Sequence, residues 1–158
     1  MPARKVREYL DRAGIRYVTI SHSPAFTAQE IAASAHIKGK DLAKTVMIQV
    51  DDRIVMAVVP ASKRLDLDQI GERLGARSVT LASEDAFQRL FPEIEPGAMP
   101  PFGNLYDMDV LVDTTLTEDE QIAFNAGSHT ELIKMAFDDY RRVVQPKVME
   151  LTRSFARV

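Results

Sequence analysis

Apolar residues change their spacing repeatedly along this chain, and each change marks a new element. Val6, Leu10 and Ala13 recur at helical intervals with Arg and Glu between them, so residues 3–13 read as an amphipathic helix ended by Gly14. Residues 15–20, Ile-Arg-Tyr-Val-Thr-Ile, are β-branched and aromatic and predict a strand. His22-Ser23-Pro24 breaks that pattern. Thr27 and Glu30 then form a T-x-x-E capping box, which predicts a short helix through Ala35. Residues 42–50 and 53–59 are two strand-like runs joined by Asp51-Asp52. They predict a hairpin whose turn lacks the favoured glycine, with Pro60 ending the second run.

Asp66 with Gln69 predicts another helix cap, and Gly75 the end of that helix. Residues 78–81 predict a short strand, and Ser83 caps a helix to Phe91 that Pro92 terminates. Residues 92–104, PEIEPGAMPPFGN, hold four prolines and two glycines, which predicts a stiff loop. Strands are expected over 105–112 and 120–124. The tail has two readings. Residues 131–144 fit one helix by apolar spacing, or a strand over 132–136 followed by a helix capped at Asp138 or Asp139. No internal repeat, low-complexity stretch or linker divides the chain. Short helices alternating with strands, one pair of them a hairpin, predict a single α/β or α+β domain with a mixed sheet.

Composition narrows the function. A chain of 158 residues with 46% hydrophobic positions is the size of one domain and buries a core without staples. The absence of cysteine removes disulfides, thiolate metal sites and a cysteine nucleophile together. The basic N-terminal residues precede no apolar run, and no stretch approaches the roughly 18 apolar residues of a membrane span. The expected location is the cytoplasm, with no membrane partner. A net charge of −3 argues against a protein that coats DNA or RNA nonspecifically. It leaves room for one that grips the end of an RNA through a local basic patch.

Four segments carry candidate chemistry. Lys44 opens an otherwise apolar strand; it is either a solvated strand end or a cation aimed into a cleft, where it would bind phosphate or polarise a carbonyl. Residues 97–103, Gly-Ala-Met-Pro-Pro-Phe-Gly, form either a rigid surface turn or a loop that presents main-chain groups at fixed positions, with Phe102 inside it. Asn125-Ala126-Gly127-Ser128-His129 follows a predicted strand, and its small residues let a ligand approach the backbone, whose N–H groups can hold an oxyanion. Ser128 and His129 also admit a Ser–His hydrolase, weakly, because sequence neighbours need not touch. His22, with Pro24 and Thr27, is either structural or lines a pocket. The three histidines, 22, 36 and 129, have no metal-ligand spacing, and no G-x-G-x-x-G or P-loop is present. No cofactor is expected.

These segments, in this order, resemble the YbaK/ProX family, related to the editing insertion of bacterial prolyl-tRNA synthetases. The matching stretches are SHSPAFTAQEIA at 21–32, DLAKTVMI at 41–48, GAMPPFG at 97–103 and FNAGSHTELI at 124–133. The resemblance implies a mixed, partly barrel-like sheet surrounded by helices, with a tail of strand then helix. It implies hydrolysis of the ester at the 3′ acceptor end of a mischarged aminoacyl-tRNA, with a synthetase as a further possible partner. Lys44 matches the family's functional lysine. Gly97, Pro101 and Gly103 match its G-x-x-x-P-x-G loop, Gly127 its glycine-rich substrate loop, and His129 a histidine of some branches. His22, Thr27, Phe102, Asn125 and Ser128 are expected around the substrate. The polar run 128–131 tilts the expected amino acid toward a small or hydroxylated one: Ala, Ser or Thr. Lys38, Lys40, Lys63 and Arg64 cluster around Lys44 in sequence and are candidates for RNA contact.

Overall fold

The hairpin read from residues 42–59 is the middle of the sheet. In the computed structural model, which describes residues 4–22, 30, 41–83, 89, 91–95 and 97–153, β2 (Leu42–Val50) and β3 (Arg53–Pro60) pair antiparallel from Ala43 opposite Pro60 to Val50 opposite Arg53. Asp51 replaces the missing turn glycine by adopting a φ of 53°, a conformation Asp tolerates better than most residues. Its Oδ1 accepts from the N–H groups of Arg77 and Ser78, both at 3.0 Å. That fastens the hairpin tip to β4 (Val79–Leu81), which pairs with the far half of β2.

The first helix, α1 (Arg4–Arg12), buries Val6 and Leu10 and stops at Gly14, whose φ is 69°. β1 (Tyr17–Ser21) begins later than expected because Ile15 turns into the core and its N–H donates to Leu10 O at 3.0 Å. α2 (Leu67–Leu74) has the expected caps: Asp66 Oδ1 accepts from the Gln69 N–H, and Gly75 is left-handed. The helices expected over 27–35 and 83–91 fall largely outside the described residues.

The expected strand over 105–112 is corrected to a shorter one, β5 (Val110–Asp113). Gly103–Leu105 is instead a 3-10 turn, Gly103 O accepts from both Tyr106 and Met108, and Asp107 takes a φ of 56°. The stiff loop therefore runs on to residue 109 before the chain extends. The tail resolves to strand then helix: β6 (Gln121–Asn125) leads to β7 (Glu131–Ala136), then α3 (Phe137–Val144). The cap of α3 is Ala136, not Asp138 or Asp139, which sit in its first turn and complement the helix dipole. β8 (Lys147–Met149) was not legible in the sequence; it pairs parallel with β5.

Among the described residues the result is a mixed α+β fold on one eight-stranded sheet, ordered β1-β7-β6-β2-β3-β5-β8, with β4 on β2. One face carries α1, α3 and the 97–103 loop over Met56, Val58, Ile122, Phe124 and Ile133. Phe102, Phe124 and Tyr140 meet there, with ring centroids 5.5 Å apart for Phe102–Phe124 and for Phe102–Tyr140. The other face packs Ile48, Val55, Ala57 and Val59 against Ile70 of α2. Among the described residues no helix is long and apolar enough to cross a membrane.

Candidate functional site

The Gly/Pro loop and the bend between β6 and β7 are hydrogen-bonded into one unit. The Gly127 N–H donates to Ala98 O at 2.9 Å, and the Glu95 N–H donates to Gly127 O at 2.9 Å. One residue is thus held from both sides. Gly97 and Gly127 both have positive φ, 81° and 86°, a region that costs a side-chain-bearing residue roughly 1–2 kcal/mol. The exposed imidazole of His129 lies over Gly97. Gly97 therefore meets the distant bend that carries Gly127 and His129.

The rest of the 97–103 loop holds this unit in place from below. Phe102 is fully buried among core aromatics. This corrects the expectation that its ring lines the site: it anchors the loop and offers no surface to a ligand. Pro101 is buried, and its carbonyl accepts from the Tyr140 hydroxyl at 2.7 Å. Burial raises the pKa of that tyrosine. Gly103 is required by packing, since a β-carbon there would stand 2.5 Å from Met108 O and 2.6 Å from Val110 Cγ2.

The bend itself is more occupied than its small residues imply. Ala126 N–H donates to Glu131 O, and Gly127 N–H is taken by Ala98, so neither faces a ligand. Ser128 is buried; its Oγ lies 3.1 Å from Thr130 Oγ1 and accepts from the Thr130 N–H at 3.4 Å. This hydroxyl closes a local turn rather than standing open as a nucleophile. The main-chain N–H of half-buried His22 donates to Thr130 O at 2.8 Å, which sets the residue beside the bend. Thr27, Lys38 and Lys40 lie outside the described residues.

Lys44 stands at the edge of this region on the sheet, opposite Val59 of β3 and so on the face away from the 97–103 loop. β2 and β6 run parallel through Leu42–Ala123 and Ala43–Phe124, and their pairing ends there. Lys44 is the next residue of β2, abreast of Asn125. Leu42 and Ala123 pack in one cluster, so by strand alternation Lys44 and Asn125 share a face where the two strands part. Lys44 is half-buried and, among the described residues, its ammonium has no hydrogen-bond or ion-pair partner. Lys63 and Arg64 follow β3 at the same end of the hairpin, where the Ala61 N–H donates to Leu42 O at 2.7 Å.

Sequence reading missed one pair. Arg7 of α1 is ion-paired with Glu131 at the start of β7, and both side chains are largely buried. It pins α1 to the base of the bend. Partners 124 residues apart leave no local signal. Among the described residues no cluster of three His, Asp or Glu side chains has metal-binding geometry.

Comparison with known proteins identifies the family and the fold. The model of the aminoacyl-tRNA editing domain matches residues 22–143. The prolyl-tRNA editing protein ProX of Acetoanaerobium sticklandii is 24% identical over 143 residues, 86% of each chain. The multifunctional Ser/Thr-tRNA deacylase ProXp-y of Escherichia coli K12 is 26% identical over 153 residues, 92% of this chain and 89% of that one. A crystal structure described as a candidate trans-editing enzyme for prolyl-tRNA synthetase superposes with a TM-score of 0.82 at 19% identity, covering 96% of this chain and 97% of that one. The chain belongs to the aminoacyl-tRNA editing domain family.

Proposed function

We propose that this protein is a trans-editing deacylase that hydrolyses the ester of a mischarged aminoacyl-tRNA carrying a small amino acid, alanine, serine or threonine. The observation that carries the reading is the reciprocal clamp of Gly127 by Glu95 and Ala98, which sets His129 over Gly97 beside the end of β2 that bears Lys44. Family membership and the names of the two sequence relatives support the same reaction.

An aminoacyl ester is already activated, so orientation accounts for much of what the enzyme must add. In this mechanism the two joined bends hold the scissile carbonyl against fixed main-chain dipoles, which stabilise the developing oxyanion without reorganising. Lys44 neutralises the phosphate of the terminal nucleotide or the substrate carbonyl. Water attacks the carbonyl carbon; the bond to the esterified ribose oxygen breaks, that oxygen takes up the proton the water loses, and the free amino acid and the ribose hydroxyl are the products. No side chain becomes covalently attached. Lys63 and Arg64 extend the positive surface toward the acceptor end. The protein works as one domain in the cytoplasm, on tRNA released by a synthetase or beside one.

The test is release of free amino acid by purified protein from one tRNA charged in turn with alanine, serine, threonine, cysteine and proline. Turnover of the first three is expected. Absence of release from all five would overturn the reading, and a preference for cysteine would overturn the substrate class.

A further inference from the structure

β2 is covered unevenly on the side away from β3. β6 pairs with Leu42 and Ala43, and β4 pairs with Ile48, Gln49 and Val50. The Ala82 N–H extends that second cover by donating to Met47 O at 3.0 Å. Among the described residues no strand lies beside Lys44, Thr45 and Val46. The backbone groups of a strand point alternately to its two sides. Leu42 O receives the Ala61 N–H on the β3 side, and Met47 O receives Ala82 on the other. Thr45, two residues before Met47, therefore turns both its N–H and its C=O into the gap.

The Thr45 side chain stands on the face of Ala43, Met47 and its cross-strand neighbour Val58, the face on which Met99, Phe102 and Ala126 pack. There its Oγ1 is buried and, among the described residues, has no hydrogen-bond partner. Buried hydroxyls in folded proteins nearly always have one. The strand rises roughly 3.3 Å per residue, so Thr45 lies about 7 Å beyond Ala43, where the 125–130 bend leaves the sheet. An ester seated at the bend would direct a short acyl side chain along this gap toward Thr45.

We propose that Thr45 is a specificity-determining residue that reads the hydroxyl of seryl and threonyl esters. The inference rests on the deacylase reading above. A substrate hydroxyl both donates and accepts: it donates to the Thr45 carbonyl or Oγ1 and accepts from the Thr45 N–H or hydroxyl. An alanyl group answers none of these, and sites built around a substrate hydroxyl discriminate strongly against analogues that lack it.

Thr45→Val keeps the shape and removes the hydroxyl. It is expected to lower kcat/KM for seryl-tRNA about tenfold while alanyl-tRNA stays within about twofold; Thr45→Ser is expected to retain the seryl rate. An unchanged seryl-to-alanyl ratio in a folded Thr45→Val protein overturns the proposal, as does a parallel fall for both esters. Binding of 3′-seryl- and 3′-alanyl-amide analogues of adenosine separates this from catalysis. The unmodified protein should favour the seryl analogue about tenfold, and equal affinities overturn the proposal even if Thr45→Val fails to fold. Failure of the unmodified protein to release any amino acid, with the analogue preference intact, would sink the deacylase reading and spare this one.

Discussion

The imidazole of His129 rests on Gly97: a β-carbon at residue 97 would lie 3.5 Å from Cε1 and 3.7 Å from Nε2. Those are ordinary contact distances, so space alone would admit alanine. The φ of 81° is what resists it. Gly97→Ala is expected to cost about 1–2 kcal/mol of loop geometry and to lower deacylation more than tenfold while the protein stays folded. Circular dichroism with an amino-acid release assay checks both halves. Unimpaired turnover would show that this turn does not hold the substrate.

Lys44→Ala is expected to abolish deacylation and leave stability nearly unchanged, because among the described residues the Lys44 ammonium has no ion-pair or hydrogen-bond partner to lose. The same assay, with thermal unfolding, decides it. Near-normal turnover would remove Lys44 from the mechanism.

Gly103→Ala should behave in the opposite way. Its β-carbon would meet the backbone oxygen of Met108 at 2.5 Å, and backbone cannot step aside as a flexible side chain does. A loss of about 1–3 kcal/mol in denaturant unfolding is expected, and residual activity should follow the folded fraction.

Tyr140 links stability to pH. Burial raises its pKa well above the usual 10. A proton held more tightly folded than unfolded stabilises the protein fully below pH 10, and that contribution drains away as pH rises through the alkaline range. Stability should therefore fall above about pH 10. Tyr106 and Tyr17, also raised by burial, share in the slope. Tyr140→Phe should flatten the slope and cost about 1 kcal/mol at neutral pH, through the lost hydrogen bond to Pro101 O. Urea unfolding at pH 7 and pH 10.5 measures both.

If Lys63 and Arg64 touch the acceptor end, KM for charged tRNA should rise steeply between 50 and 200 mM salt, by about tenfold for a few phosphate contacts. Lys63→Ala with Arg64→Ala should reduce that slope. A flat response in the unmodified protein would confine these residues to ordinary surface charge.

Local chemistry made much of this architecture readable in advance. The spacing of Val6 and Leu10, the Asp66 cap, the stop at Gly75 and the hairpin at 42–59 each depend on neighbours within a few residues, and each stands in the structure. The 97–103 and 125–129 segments stood out because glycine and proline advertise unusual backbone. The start of β5 did not, because Val110 extends only after Gly103 has gathered the N–H groups of Tyr106 and Met108. Nor did β8, three residues that need β5 beside them.

What the sequence by itself determined was periodicity, caps, turn chemistry and the residue types available at the candidate site. Only tertiary structure decided which of those residues turn into the core and which main-chain groups are already taken. It turned Phe102 inward, gave the Gly127 N–H to Ala98, placed Lys44 abreast of Asn125 and left Thr45 in a gap between two strands. The physical reason is that pairing partners and burial are set by contacts between segments tens of residues apart, and no local pattern records which N–H or ring another part of the chain will occupy.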